Sequence, residues 1–206
     1  MRGARKRRPG GGTAGAAASS ALPAYARIDR SLSAGDHPYL RILPEVAASP
    51  ALERIAPSGA ARTRLLERAR VEIRDVQGYA FVDDEVPCIV VAECYFREGT
   101  HLDLYLDLLH EITHLRQLEE GFDLWDERFA YVDRPTEIEA YAVAIEEGRR
   151  LGMNDAEVMT HVSNPWMTPM EVARLLGHVG AFLETGMLAN LEAAKRPAPR
   201  RSRRPW

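Results

Sequence analysis

The sequence has few cysteines and no long apolar run, and these absences exclude two classes of protein. Its two cysteines, Cys88 and Cys94, lie in one predicted strand and are too far apart along an extended segment to form a disulfide with each other. We expect both to be small buried hydrophobic residues in a reducing compartment. No run approaches the roughly 20 consecutive apolar residues of a membrane-spanning helix. The basic amino terminus leads into a glycine- and alanine-rich segment that is too weakly hydrophobic for a secretory signal. The sequence therefore predicts a cytoplasmic protein without a membrane span.

Positive charge is scarce in the middle of the chain and concentrated at its ends. The formal net charge is −3, yet residues 1–8 carry five basic side chains and residues 195–206 carry six, with no acidic residue in either segment. Residues 9–194 therefore have a net charge of −14. We interpret residues 1–24 and 195–206 as disordered basic tails on one folded domain, residues 25–194. Such tails can contact phosphates, so nucleic acid is a minor alternative partner.

The most informative motif is His110-Glu111-Ile-Thr-His114, which has the pattern H-E-x-x-H. On a helix, two histidines four residues apart lie one turn above each other, so both imidazoles can reach one metal ion while Glu111 stays beside it. Leucine and isoleucine cover most of the remaining helix surface, and the polar residues form one stripe. The pattern predicts a buried helix whose polar stripe faces a cleft and binds zinc, Zn2+.

A third zinc ligand is expected from a second predicted helix, because a catalytic zinc usually has three protein ligands and one open position. This helix contains Glu137 and Glu139. Thr136 and Glu139 have the spacing of a capping box, which gives Glu139 a role at the start of the helix. Glu137 shares its helix face with Tyr141 and the small residue Gly148, so this face can approach the first helix closely. We therefore prefer Glu137 as the ligand and keep Glu139 as the alternative.

The H-E-x-x-H motif followed by Glu137 resembles the zinc site of the gluzincin metallopeptidases. The pair Glu137 and Glu139, followed by Ala140, is similar to the glutamate helix of their small cytoplasmic branches, including the ImmA/IrrE-like proteases. The resemblance covers about residues 88–150. It implies a zinc-dependent peptidase that acts on a peptide or protein substrate.

The resemblance also implies a mechanism and a role for each site residue. His110, His114 and Glu137 would bind the zinc ion. Glu111 would act as the general base toward a zinc-activated water that attacks the peptide bond. Many members have an aspartate four residues after the ligand glutamate, but Tyr141 has that place here. Asp107 is our candidate to orient a histidine instead.

The resemblance and the apolar periodicity together predict a small α+β domain. A short, mostly antiparallel, zincin-like sheet is expected to pack on the motif helix, beside the glutamate helix and carboxy-terminal helices. Thr168 and Glu171 have the spacing of a capping box at the start of the last helix. Residues 122–134 show no clear period. The predicted elements are a helix at 58–70, strands at 71–76, 79–82 and 88–96, and helices at 102–118, 134–148, 154–162 and 168–188.

Several points stay open in the sequence. A hydrogen-bond donor usually faces the zinc in such peptidases, and four residues qualify: Tyr131, Tyr141, His161 and His178. A catalytically silent zinc protein that contacts a partner or nucleic acid through the basic tails is the main alternative. Glu111 argues against it, because a purely structural zinc site needs no base and prefers four protein ligands. The substrate and the oligomeric state are not determined.

Overall fold

The structure is a computed structural model that describes residues 22–188 and residue 195. The predicted basic tails therefore lie almost entirely outside the described residues. The strands are β1 (Gly35–Pro38), β2 (Arg70–Arg74), β3 (Ala80–Asp83) and β4 (Cys88–Ala92). The α-helices are α1 (Tyr39–Ile42), α2 (Ala51–Ile55), α3 (Gly59–Arg68), α4 (Glu93–Glu98), α5 (His101–Glu119), α6 (Pro135–Arg150), α7 (Asp155–Val162) and α8 (Pro169–Thr185). Short 3-10 helices lie at Ala24–Ala26, Val46–Ala48 and Tyr131–Asp133.

The four strands form one mixed sheet in the order β1-β2-β4-β3. Two of its three strand pairs are antiparallel, and only β2 and β4 run parallel. All five residues of the inner strand β4 are buried, which explains why its sequence is continuously apolar. The predicted α+β class and mostly antiparallel sheet are confirmed. The strand β3 lies at one edge, a position that the sequence did not reveal.

The strand predicted at residues 88–96 is too long, because the chain leaves the sheet after Ala92. Ala92 is the last residue of β4 that pairs with β2, so residues beyond it have no neighbouring strand. The backbone there makes its hydrogen bonds within the helix α4 instead, and Phe96 of this helix is fully buried. Cys94 consequently lies on α4 and is exposed, contrary to our expectation, whereas Cys88 is buried as expected.

The helix α5 occupies the centre of the domain and contacts β3 and β4 as well as α6. The hydroxyl of Thr100 accepts a hydrogen bond from the backbone N–H of Asp103, at 3.0 Å, and so caps its first turn. Leucines that include Leu104, Leu106 and Leu108 are fully buried, as predicted for a helix with one polar stripe. Its polar residues are therefore held in place by packing on the other faces of the helix.

The helix α6 begins two residues earlier than a Thr136 cap would require, so the predicted capping box is wrong. Pro135 is the first helical residue, and no side chain caps this end of the helix. Thr136 lies inside the helix with its hydroxyl buried and without a hydrogen-bond partner among the described residues. The side chain of Glu139 points toward α5, where Arg116 attracts it.

The last helix, α8, starts as predicted and ends three residues early. The hydroxyl of Thr168 and the side chain of Glu171 form a complete capping box, with Pro169 as the first helical residue. The helix stops at Gly186, whose φ of 66° lies in the left-handed region that favours glycine. α8 packs on α6, and with α7 these helices bury a second apolar cluster next to the main core.

A close approach of α6 to α5 predicts that Gly148 tolerates no large side chain. A Cβ atom at this position would lie 3.1 Å from Cδ1 of Leu106 on α5 and 2.6 Å from Sδ of Met153. We expect Gly148→Leu to lower the free energy of unfolding by about 1–3 kcal/mol through overpacking, measured by urea denaturation. Gly177→Leu is the matched control, because Gly177 is an exposed helical glycine on α8 with nothing within 4 Å of its Cβ position. Equal stability of the two variants would contradict the close approach.

Candidate metal centre

Two helices bring three of the predicted site residues together. On α5, Nε2 of His110 lies 2.9 Å from Nε2 of His114. On α6, Oε2 of Glu137 lies 3.4 Å from Nε2 of His110 and 3.6 Å from Nε2 of His114. All three side chains are buried. The structure therefore contains a His-His-Glu cluster that can hold a metal ion.

The spacing of the three atoms fits a tetrahedral metal site. Ligands about 2.0–2.2 Å from a tetrahedral zinc ion are roughly 3.3–3.6 Å apart. The two distances to Oε2 of Glu137 match this range, whereas the two histidine nitrogens lie closer together, at 2.9 Å. Oε2 of Glu137 is buried and has no hydrogen-bond partner among the described residues. A buried carboxylate oxygen without a partner is costly, and a cation would remove that cost. Two imidazoles and a carboxylate are moreover a donor set typical of zinc.

The pKa values of His114 and Glu137 are shifted in opposite directions by their mutual attraction. Burial by itself favours neutral His114, but Glu137, Glu111 and Gln117 together outweigh it and raise the pKa of His114 to about 9. Burial likewise opposes ionisation of Glu137, yet the charges of His114 and His110 hold its pKa well below its usual range. These opposite shifts arise because the carboxylate of Glu137 and the two imidazoles attract each other in a buried site.

Glu111 lies beside the cluster and lines the same cleft as its three residues. Its carboxylate is buried, and burial raises its pKa above the ordinary value, although the charges of His110 and His114 act in the opposite direction. A raised pKa makes a carboxylate a better proton acceptor at neutral pH. The cluster that can hold a metal ion thus has a buried carboxylate beside it.

Comparisons with protein family models, curated proteins and solved structures find no match to this chain. No helix among residues 22–188 is long and apolar enough to cross a membrane.

Glu139 lies outside the cluster and holds a different part of the site. Its Oε2 accepts hydrogen bonds from Nη2 of Arg116 at 2.6 Å and from Nε2 of Gln117 at 2.8 Å. Oε1 of Gln117 in turn accepts a hydrogen bond from Nδ1 of His114 at 2.7 Å. The sequence analysis did not predict this role of Gln117, which is one of the polar residues of the stripe on α5. Its position three residues after His114, on the same helix face, was the only available signal.

Asp107 was predicted to orient a histidine of the motif, but its carboxylate contacts other side chains instead. Oδ2 of Asp107 accepts a short hydrogen bond from the hydroxyl of Tyr95. Oδ1 lies 3.6 Å from Nε2 of His161, whose other ring nitrogen, Nδ1, lies 3.1 Å from Oδ1 of Asp103. His161 is therefore engaged by two carboxylates of α5 and is not one of the residues that line the cleft. Its role as a donor toward substrate is not supported.

The cleft retains two of the four predicted donors, Tyr131 and Tyr141. Their hydroxyl oxygens are 3.0 Å apart, and Nδ2 of Asn164 donates to the hydroxyl of Tyr141 at 2.9 Å. Burial and the nearby Glu137 carboxylate raise the pKa of both tyrosines, so their hydroxyls keep their protons. The fourth candidate, His178, is not one of the residues that line the cleft and lies against Asp133.

The cleft above the cluster has a volume of about 260 Å³. One wall is the edge strand β3 with Tyr79 before it, and another comes from the aperiodic segment that contains Trp125 and Tyr131. Trp125 and Trp166 at its rim are 48% and 64% exposed, so apolar surface is available to a bound molecule. The predicted ligands and the base thus lie in an open cleft with aromatic walls.

Proposed function

We propose that this protein is a zinc-dependent metallopeptidase of the gluzincin type. One observation carries the proposal: Glu111 lies beside the buried His-His-Glu cluster, and all four residues line an open cleft. A structural zinc site is usually closed by four protein ligands and has no use for a base. Three ligand side chains, an accessible cleft and an adjacent carboxylate are what hydrolysis requires.

The proposed chemistry assigns a proton-transfer role to Glu111. When bound, zinc would lower the pKa of water toward 7 and polarise the substrate carbonyl. Glu111 accepts a proton from the attacking water and passes it to the leaving nitrogen, a role suited to a buried carboxylate with a raised pKa. Tyr131 and Tyr141 supply protonated hydroxyls in the cleft that can donate to the developing oxyanion.

The position of β3 supports a peptide as the substrate rather than a small non-peptide amide. The sheet ends at β3, and the strand borders the cleft that contains Glu111. An extended peptide can pair with such an edge through main-chain hydrogen bonds, which depend little on its sequence. The aromatic rim then offers contacts to apolar side chains of the peptide.

Comparison of protein termini tests the proposed activity on a whole mixture of cellular proteins, so no single substrate has to be chosen. The zinc-loaded protein and its Glu111→Gln variant are incubated with a lysate of host cells, and new termini are identified by mass spectrometry. We expect a set of new termini with the wild-type protein that is absent with the variant and absent after zinc is chelated. Identical termini in all samples would favour the catalytically silent zinc protein, which binds a partner through its basic tails.

A further inference from the structure

The amide of Gln117 makes hydrogen bonds to both helices of the metal centre. Gln117 lies on α5 and is fully buried. Its Nε2 donates to Oε2 of Glu139 at 2.8 Å and to the backbone carbonyl of Thr136 at 3.0 Å, both on α6. Its Oε1 faces Nδ1 of His114 at 2.7 Å. One side chain thus contacts a histidine of the cluster and the residue directly before Glu137.

These partners allow only one orientation of the Gln117 amide. The carbonyl of Thr136 and the carboxylate of Glu139, which also accepts from Arg116, are hydrogen-bond acceptors. The NH2 group of Gln117 must face them, so its carbonyl oxygen must face His114. An oxygen cannot donate, and therefore Nδ1 of His114 must carry a hydrogen atom.

The assignment of a hydrogen to Nδ1 determines which nitrogen of His114 is available to a metal. A neutral imidazole with a proton on Nδ1 has its lone pair on Nε2. That atom faces Nε2 of His110 and Oε2 of Glu137. We infer that Gln117 is a positioning residue of the metal centre, which fixes the ring and tautomer of His114 and holds the first turn of α6 beside it. The inference rests on the proposed metal site and is independent of peptide hydrolysis.

Gln117 thus has the role that the sequence analysis assigned to Asp107, which is to orient a histidine of the metal centre. Residues that orient metal-binding histidines typically change metal affinity about 10–100-fold when they are replaced. In this protein the amide of Gln117 orients the ring of His114. The carboxylate of Glu139 accepts a hydrogen bond from this amide and forms an ion pair with Arg116. The contacts thus run from His114 through Gln117 to a partly buried ion pair between Arg116 on α5 and Glu139 on α6.

Zinc affinity of the full-length protein tests the inference through competition with a chromogenic chelator. We expect Gln117→Leu to weaken zinc binding roughly 10–100-fold. We also expect it to change the visible spectrum of the cobalt-substituted protein, which reports the ligand geometry. Thr113→Val is the matched control, because Thr113 is equally buried on α5 but its hydroxyl donates to the backbone carbonyl of Leu109. This control should keep the wild-type affinity and cobalt spectrum.

A paired substitution keeps the test decisive if Gln117→Leu fails to fold. In the double variant Gln117→Glu with Glu139→Gln, the new carboxylate at position 117 can still accept from His114. The new amide at position 139 can donate to that carboxylate and accept from Arg116. We expect this double variant to bind zinc more tightly than Gln117→Glu alone, in which two carboxylates face each other.

The outcomes separate this inference from the proposed metal site. If the wild-type protein binds no zinc, both are overturned. If the wild-type protein binds zinc and folded Gln117→Leu binds it equally well with an unchanged cobalt spectrum, only the role of Gln117 is overturned. A folded double variant that binds no better than Gln117→Glu alone would also overturn it.

Discussion

Replacement of Glu111 by glutamine is expected to abolish peptide cleavage and leave the metal in place. The amide has the size of the carboxylate but cannot accept a proton, so the rate of hydrolysis should fall by at least the factor of about 10²–10⁴ that general acid–base catalysis contributes. Glu111 does not belong to the His-His-Glu cluster, so zinc affinity should change little. The turnover number of the two proteins on one identified peptide, together with their zinc content, provides the measurement.

Metal content makes this first result interpretable. If Glu111→Gln lost both its zinc and its activity, the result would indicate that Glu111 is needed to bind the metal, and it would not support a role as the general base. A variant that holds zinc and cleaves at the wild-type rate would exclude Glu111 from the chemistry. Glu120→Gln offers a control for the loss of a carboxylate near this helix, because Glu120 is exposed and is not one of the residues that line the cleft.

Replacement of Glu137 by alanine is expected to remove the metal almost completely. Glu137 is the only carboxylate in the cluster, and its loss leaves two histidines, which cannot complete a three-ligand site. The affinity for zinc should therefore fall by more than the roughly 10–100-fold loss that follows removal of a supporting residue. Metal analysis after dialysis and chelator competition measure both effects.

Glu139→Ala is the matched comparison on the same helix. Among the described residues, Glu139 contacts the site through Gln117 and does not belong to the cluster, so the substitution should weaken zinc binding to a smaller degree than Glu137→Ala. Glu146→Ala provides a neutral reference, because this residue of α6 lies on the surface and pairs with Arg54. Loss of metal in Glu139→Ala with retention in Glu137→Ala would show that the ligand assignment is wrong.

The positions of the cluster residues were predictable because they depend on two helices with clear periodicity. The spacing of His110 and His114 places both on one face of any α-helix, whatever the rest of the chain does. Glu137 could be preferred because Gly148 on the same face permits a close approach of the second helix. In the structure, a Cβ atom at position 148 would lie 3.1 Å from Cδ1 of Leu106, so the two helices do approach closely there. Local geometry was sufficient for these residues.

The end of β4 and the role of Glu139 were predicted wrongly for a common reason. Apolar residues continue past Ala92, so the sequence could not show that the neighbouring strand β2 stops there. Thr136 and Glu139 have the spacing of a capping box, but the ion pair of Glu139 with Arg116 on another helix competes with that local contact. Each outcome was decided by residues that are distant in sequence.

The sequence alone thus determined the buried motif helix, the preferred carboxylate and the capped start of α8, because helix periodicity and capping are properties of short segments. Only the tertiary structure decided that β3 is the edge strand beside Glu111, and that Asp107 contacts Tyr95 and faces His161. The tertiary structure also decided the hydrogen bonds of Gln117 to α6. These features depend on how the sheet and helices meet, and the chemistry of a side chain does not specify which distant partner it will reach.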